Sequence, residues 1–146
     1  MNRLNNAAFF SSLLLLTGCA SFQANSELQK GRMALRGGMP DAAIAHLQQA
    51  AALDGDLKNA KLQEGAWTYL GRAYYDAKNY PQARQALERA PEINKDDSLA
   101  RLYLGLTLTR QGSHESSRKE VLLGLQGIHE TLEDRVHRCA QQGTRF

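Results

Sequence analysis

Histidine and acidic residues lie close together near the end of the sequence, in the run His129-Glu130-Thr131-Leu132-Glu133. A helix that binds catalytic zinc carries two histidines four residues apart, with a glutamate beside the first as general base. Because Glu133 takes the place of the second histidine, the run lacks one ligand, and we expect a solvated helix face. The other histidines have no ligand spacing (His46, His114 and His137). We predict no catalytic residue, no metal and no cofactor, and therefore a protein that is not an enzyme.

Cys19, one of two cysteines, ends a short apolar run near the amino terminus. Residues 7–16 read AAFFSSLLLL, which is much shorter than the about 20 apolar residues that cross a bilayer. This length, preceded by the single positive charge of Arg3, is typical of the apolar region of a signal peptide. The run continues as Leu16-Thr17-Gly18-Cys19, and this ending resembles the lipobox of bacterial lipoproteins.

The resemblance implies a covalent lipid on Cys19. Residues 1–18 would be removed, the sulfur would carry diacylglycerol, and the new amine would carry a further acyl group such as palmitate. Two or more acyl chains anchor a protein stably, whereas one does so only marginally. Residues 19–25 would then form a lipidated tether, and Ala20 after the cysteine favours the outer membrane in a Gram-negative cell.

The chain has the composition of one ordinary globular domain. The whole sequence of 146 residues is 42% hydrophobic and 23% charged, with a formal net charge of +3. Nucleic-acid-binding proteins cluster their Lys and Arg residues into a stripe, whereas here positive and negative residues alternate. We therefore predict no nucleic-acid partner.

A spaced pattern of large and small residues occupies most of the remaining sequence. Trp67, Leu70-Gly71 and Tyr74 are followed by Ala83, Leu87 and Ala90. This pattern resembles the tetratricopeptide repeat, which has a period of about 34 residues. One period later the same positions hold Leu104, Gly105, Leu108, Val121 and Gly124, and the second half of an earlier repeat is present as Ala43, Leu47 and Ala50.

The repeats predict an all-α fold, a short solenoid of about three antiparallel helix pairs plus a C-terminal capping helix. The pairs are expected at 24–37 and 40–53, at 57–77 and 80–91, and at 97–111 and 114–126, so that the repeats fill 26–127. Small residues let paired helices approach closely, and stacking of the pairs buries their apolar faces. Turns are expected at Gly37-Gly38, Lys78-Asn79 and Gln111-Gly112.

A capping helix with a frayed tail is predicted for 128–146. Its helical spacing of apolar residues forms a stripe that we expect to close the last repeat: Leu125, Ile128, Leu132, Val136 and Cys139. Cys139 is expected there as a small buried residue. Disulfide pairing between two molecules is the alternative.

In proteins of this family, a concave groove is lined by the first helix of each pair. Carried over to this sequence, the resemblance implies a groove lined by Arg32, Leu35, Arg36, Thr68, Arg72, Tyr75, Asp76, Leu102, Leu106, Thr109 and Arg110. Its arginines are suited to bidentate bonds with carboxylates, and the groove would take a partner peptide or helix. The alternative is that these are ordinary surface residues of a structural solenoid. Carboxylate-clamp members of the family have lysine or asparagine where Leu28, Tyr69 and Leu99 stand, so we do not predict chaperone-tail binding.

These observations favour a membrane-anchored adaptor or assembly factor of the cell envelope, with a protein partner in the groove. Pilus assembly, secretion and outer-membrane assembly are processes that such lipoproteins serve. The alternative is a structural, self-associating subunit of an envelope complex without a groove ligand.

Overall fold

Six α-helices form the part of the chain that the computed structural model describes, residues 5–53 and 65–143, with side chains described for 21–53, 65–90 and 94–142. The helices are α1 (Asn5–Arg36), α2 (Pro40–Leu53), α3 (Ala66–Asp76), α4 (Tyr80–Ile93), α5 (Ser98–Arg110) and α6 (His114–Gly143). The predicted all-α fold is confirmed.

The helices stack as three antiparallel pairs. Helix α1 packs against α2, α3 against α4, and α5 against α6, while α2 also contacts α3 and α4 contacts α5. Helix α3 touches both α1 and α5, so the first helices of the three pairs form one inner layer. Each pair therefore covers the apolar face of its neighbour, as expected for a solenoid of repeats.

The turn inside each pair has the same backbone geometry. Its central residue has a positive φ in all three pairs: 69° at Gly38, 62° at Lys78 and 81° at Gly112. Each amide there bonds to the carbonyl three residues earlier, and the next amide reaches five residues back. These bonds satisfy the last carbonyls of each first helix. The three predicted turns are confirmed.

One close contact repeats between the helices of each pair. A Cβ on Gly31 would lie 2.5 Å from Leu47 Cγ, one on Gly71 would overlap Leu87, and one on Gly105 would lie 2.6 Å from Val121 Cγ2. Leu47 and Leu87 are fully buried in these contacts. The small residue at this position of the repeat is thus required because a large side chain of the second helix fills its space.

The helix boundaries differ from the prediction by more than two residues at the starts of α1 and α3 and at the end of α6. Helix α1 extends back to Asn5 without a break, so the proposed tether at 19–25 is helical. Helix α3 begins at Ala66 rather than at 57, and residues 57–64 lie outside the described part. The lipobox residues 16–19 belong to α1, but their side chains also lie outside the described set.

The predicted boundary at Gly127 is wrong, because α6 continues through it to Gly143. A Cβ at Gly127 would overlap the Ser98 side chain, so the glycine permits close packing of α5 instead of ending the helix. The residues predicted for a capping helix are helical, but they extend the last helix of the third repeat.

The predicted burial of the α6 stripe is also wrong. Leu125, Leu132 and Val136 are 50%, 55% and 69% exposed, and Cys139 is exposed rather than buried. Helix α5 has only 13 residues and α6 has 30, so α5 is about 20 Å long beside a helix of about 45 Å. Leu132 and Val136 therefore lie past the end of α5, whereas Leu125 lies beside α5 but on a face of α6 that α5 does not cover.

Candidate functional site

Arginine and tyrosine side chains stack between successive helices of the inner layer. Arg32 on α1 places its Cζ 4.9 Å from the centre of the Tyr69 ring on α3. Arg72 on α3 places its Cζ 5.7 Å from the ring centre of Tyr103 on α5. Cation–π contacts of this kind hold a guanidinium in place while its N–H groups remain available. We call these four residues the arginine–tyrosine ladder.

Three tyrosine rings form a cluster at one end of the ladder. The Tyr75 ring meets those of Tyr80 and Tyr103 edge-on, with 5.7 Å between ring centres in both pairs. A hydrogen bond with Tyr75 raises the pKa of Arg110, and burial raises the pKa of the Tyr103 hydroxyl. Both shifts favour a charged Arg110 beside a neutral Tyr103 hydroxyl.

Arg72 has an incomplete set of polar partners. Its Nε lies 3.7 Å from Asp76 Oδ2, which is an ion-pair distance but not a hydrogen bond. The Nε atom is buried and makes no hydrogen bond, whereas most buried polar atoms do. The Arg72 side chain as a whole is 32% exposed, so a carboxylate would meet the terminal Nη groups rather than the buried Nε. The arrangement is thus suited to binding an acidic group.

Most of the predicted groove residues are accessible. Arg32, Arg72, Tyr75, Leu102 and Leu106 are half-buried, and Arg36, Asp76, Thr109 and Arg110 are exposed. The structure brings Arg72, Tyr75, Asp76 and Arg110 together around Tyr103. Thr109 bonds across to Ser117 on α6 with 2.5 Å between the hydroxyl oxygens.

Two of the predicted groove residues do not reach the surface. Leu35 is 7% exposed, and Thr68 is fully buried. Thr68 instead donates a hydrogen bond to Asp97. Leu35 and Thr68 are therefore core residues beneath the predicted groove, and their side chains are not accessible to a ligand.

The sequence prediction missed Tyr69 and Tyr103 as parts of the site. Tyr69 and Tyr103 stand at the same position of successive repeats, directly before Leu70 and Leu104. A tyrosine recurring with the repeat period, followed three residues later by arginine in the second repeat, was the available signal.

A second concavity lies between α2, α3 and α4, with a volume of about 480 Å³. Its lining contains a single charged side chain, Arg89, which stacks on Trp67 at 4.7 Å, and Gln48 donates to the Tyr74 hydroxyl at 2.7 Å. The inner layer is therefore the better candidate for a binding site.

Two other features are absent from the described part of the chain, a metal-binding cluster and a helix that could cross a membrane. No group of three or more His, Cys, Asp or Glu side chains there could hold a metal ion. None of the helices, as far as they are described, combines the length and apolar character needed to cross a membrane.

Solved structures with the same architecture include three different proteins. The second TPR of Spaghetti (RPAP3), bound to the HSP90 peptide SRMEEVD, is 21% identical, with 72% of this chain and 92% of that chain covered and a TM-score of 0.64. The crystal structure of MamA is 21% identical, with 77% of this chain and 63% of that chain covered and a TM-score of 0.63. The Yersinia enterocolitica type III secretion translocator chaperone SycD is 13% identical, with 85% and 96% covered and a TM-score of 0.64.

These identities show a shared fold only, and no curated protein sequence matches the chain. The family model for the tetratricopeptide repeat matches residues 34–119, which is more than half of the sequence. The match includes the second helix of the first pair, both helices of the second, and α5. The chain therefore belongs to the tetratricopeptide repeat family.

Proposed function

We propose that the protein is a lipid-anchored adaptor of the bacterial cell envelope that holds an acidic segment of a partner protein against its inner layer. Proteins of this family are generally non-enzymatic scaffolds for protein–protein interaction. The anchor in this proposal is Cys19, with diacylglycerol and an N-acyl group, and the location is the periplasmic face of the outer membrane. The lipobox-like sequence Leu16-Thr17-Gly18-Cys19 supports this part.

The partly exposed guanidinium of Arg72, held between Tyr103 and Asp76, is the observation that carries the binding proposal. The guanidinium is held against Tyr103, so little side-chain entropy is lost when a ligand binds. Arg32 and Arg110 extend the positive charge to α1 and α5. A partner carboxylate would compete with Asp76, which is only 3.7 Å from Arg72 Nε.

Two similar structures are complexes with a partner, which is consistent with this use of the fold. One Spaghetti domain is described as bound to an HSP90 peptide that contains two glutamates and an aspartate. Another similar structure is titled the CopN-Scc3 complex. This chain lacks the polar residues of a carboxylate clamp, so the acidic segment would be recognised by the arginine–tyrosine ladder instead.

The test is crosslinked capture from native envelopes with the wild type, Arg110→Glu, and the double variant Arg72→Glu/Tyr75→Ala. Arg84→Glu is the matched control, because Arg84 lies on α4 and pairs with Glu88 at 2.7 Å. Circular dichroism establishes that all variants are folded. We expect one partner to be captured by the wild type and the control but lost from both inner-layer variants, and its purified acidic segment to reproduce this pattern.

Equal capture of that partner by all four proteins would refute binding at the inner layer. The structural alternative, a self-associating subunit, is favoured by a different observation, the exposed apolar side chains on α6. That observation concerns a separate surface.

A further inference from the structure

Helix α6 carries an exposed apolar stripe with strict coiled-coil spacing. The stripe consists of side chains three and four residues apart in alternation, and we call it the α6 seam: Leu122, Leu125, His129, Leu132, Val136 and Cys139. Leu122 is 61% exposed, and the His129 side chain is 70% exposed. Side chains at these two positions of each heptad form the narrow seam of a coiled coil, and Leu123, which is 40% exposed, lies beside it.

Contacts within the monomer use a different face of α6. Helix α5 packs against Ser117, Val121 and Gly124, as shown by the Ser117 hydroxyl donating to Gly105 O at 2.8 Å and by the close approach of Gly124 to Leu102. These residues lie about a quarter-turn from the seam. The seam therefore lies on a different face of α6 from the internal interface, and it has its own register.

We propose that the α6 seam pairs with the α6 seam of a second copy of this chain. In a coiled coil, each seam side chain inserts between four side chains of a facing helix that has the same alternating three- and four-residue spacing. A second copy of α6 has this spacing along the whole seam. His129 stands at one of the core positions, where a single polar residue selects register and partner number. In the monomer it pairs with Glu133, with 3.2 Å between Nε2 and Oε1.

The size of the seam is sufficient for a stable pair. The exposed fractions of its large apolar side chains correspond to roughly 400 Å² on each copy, hence about 800 Å² in a pair, and the flanking side chains bring the total toward the about 1,000 Å² of a specific interface. A patch of this size is also comparable to the largest one that a typical monomer leaves uncovered.

The charges beside the seam distinguish a protein partner from a membrane. Helices that lie on a bilayer are rich in Lys and Arg on their polar face. The polar face of α6 instead carries Glu130, Glu133 and Asp134, against Arg135 and Arg138. This nearly balanced face has no cluster of positive charge that would attract an anionic lipid surface, so the second copy is the better occupant.

The experiment measures the oligomeric state of the full chain by sedimentation equilibrium in density-matched detergent, under reducing conditions so that Cys139 cannot crosslink. The seam variant is Leu132→Glu/Val136→Glu. The matched control is His137→Glu, which places the same side chain at an exposed position outside the seam. We expect a dimer for the wild type and the control, and at least tenfold weaker association for the seam variant.

A monomeric wild type at about 100 μM, well above a typical micromolar dissociation constant, would overturn the proposal, and so would an undiminished dimer of the seam variant. Flotation of a Cys19→Ser chain with phosphatidylglycerol vesicles tests the lipid alternative. Vesicle binding that requires the seam, from a chain that sediments as a monomer, would also overturn it. No residue of the arginine–tyrosine ladder is changed, so partner capture is a separate result.

Discussion

The Thr68 hydroxyl on α3 donates a 2.5 Å hydrogen bond to the carboxylate of Asp97, and both side chains are buried. The other carboxylate oxygen of Asp97 accepts from the Ala100 amide at 2.9 Å and caps the start of α5. One buried carboxylate thus fixes where the third helix pair begins and ties it to the second. The sequence prediction placed Thr68 in the groove and did not assign Asp97 a role.

We expect Thr68→Val to lower the free energy of unfolding by about 1–3 kcal/mol, because it leaves a buried carboxylate oxygen without its donor. Asp97→Ala removes the helix cap as well and should cost about 2–4 kcal/mol. Urea denaturation of both single variants and the double variant measures the coupling. Strictly additive losses would show that the two side chains do not act as a unit.

Lys78 is the one non-glycine residue among the three equivalent turn positions, at a φ of 62°. A left-handed conformation costs a residue with a side chain about 1 kcal/mol relative to glycine. We therefore expect Lys78→Gly to stabilise the protein by up to about 1 kcal/mol, less the entropy that glycine gains in the unfolded chain. Thermal denaturation of Lys78→Gly, Lys78→Ala and wild type measures this, and a glycine variant no more stable than the alanine variant would contradict it.

The repeat pattern predicted the core of the solenoid because its chemistry is local and periodic. Small residues opposite large ones, as at Gly71 and Leu87, appear directly in the sequence, and the turns at Gly38 and Gly112 follow from glycine itself. Element bounds for α2, α4 and α5 differ from the prediction by at most two residues.

What the sequence could not predict depends on relative lengths and on contacts between pairs. Gly127 was interpreted as a helix end, but its lack of a side chain accommodates Ser98. Leu132 was expected to be buried in the apolar stripe, and its exposure follows from the difference in length between α5 and α6. Glu27 stands where the repeat usually has a large apolar residue. The sequence did not indicate that it pairs with Lys30 and His46.

The glycine–leucine contact of the second pair predicts a specific loss of stability. Alanine at Gly71 gains about 1 kcal/mol of helix propensity, but its Cβ would overlap Leu87, and overpacking of a core costs about 1–3 kcal/mol. We expect Gly71→Ala to be destabilising, and Gly71→Ala/Leu87→Ala to lose less than the sum of the single variants in urea denaturation. Additive losses would show that Leu87 does not fill the space above the glycine.

Glu27 predicts an acid-dependent part of the stability. It lies nearly buried between Lys30 Nζ at 2.6 Å and His46 Nδ1 at 2.7 Å, and hydrogen bonds from Lys30 and then His46 hold its pKa below the usual range. Because the folded-state pKa is lowered, this stabilisation is present above the ordinary carboxyl pKa and is lost as the pH falls through the lowered value.

We therefore expect Glu27→Gln to lower the melting temperature at neutral pH and to lose less of it on acidification than the wild type. Glu88→Gln is the matched control, since that carboxylate forms an exposed pair with Arg84 that should contribute little. Melting curves across acidic and neutral pH distinguish the two. Parallel curves for wild type and Glu27→Gln would mean that Glu27 is not linked to proton binding.

The two cysteines give opposite predictions for lipidation. Cys19 follows the apolar run and the small residues Thr17-Gly18, whereas Cys139 is an exposed thiol on α6 with no such sequence before it. Because Cys139 is exposed, labelling with a palmitate analogue separates sequence-directed modification from chemical accessibility. We expect Cys19→Ser to abolish labelling and to release the chain from the membrane fraction, because without acyl chains no stable anchor remains. Cys139→Ser should stay labelled and membrane-bound, and a Cys19→Ser chain that keeps its label would refute the lipoprotein assignment.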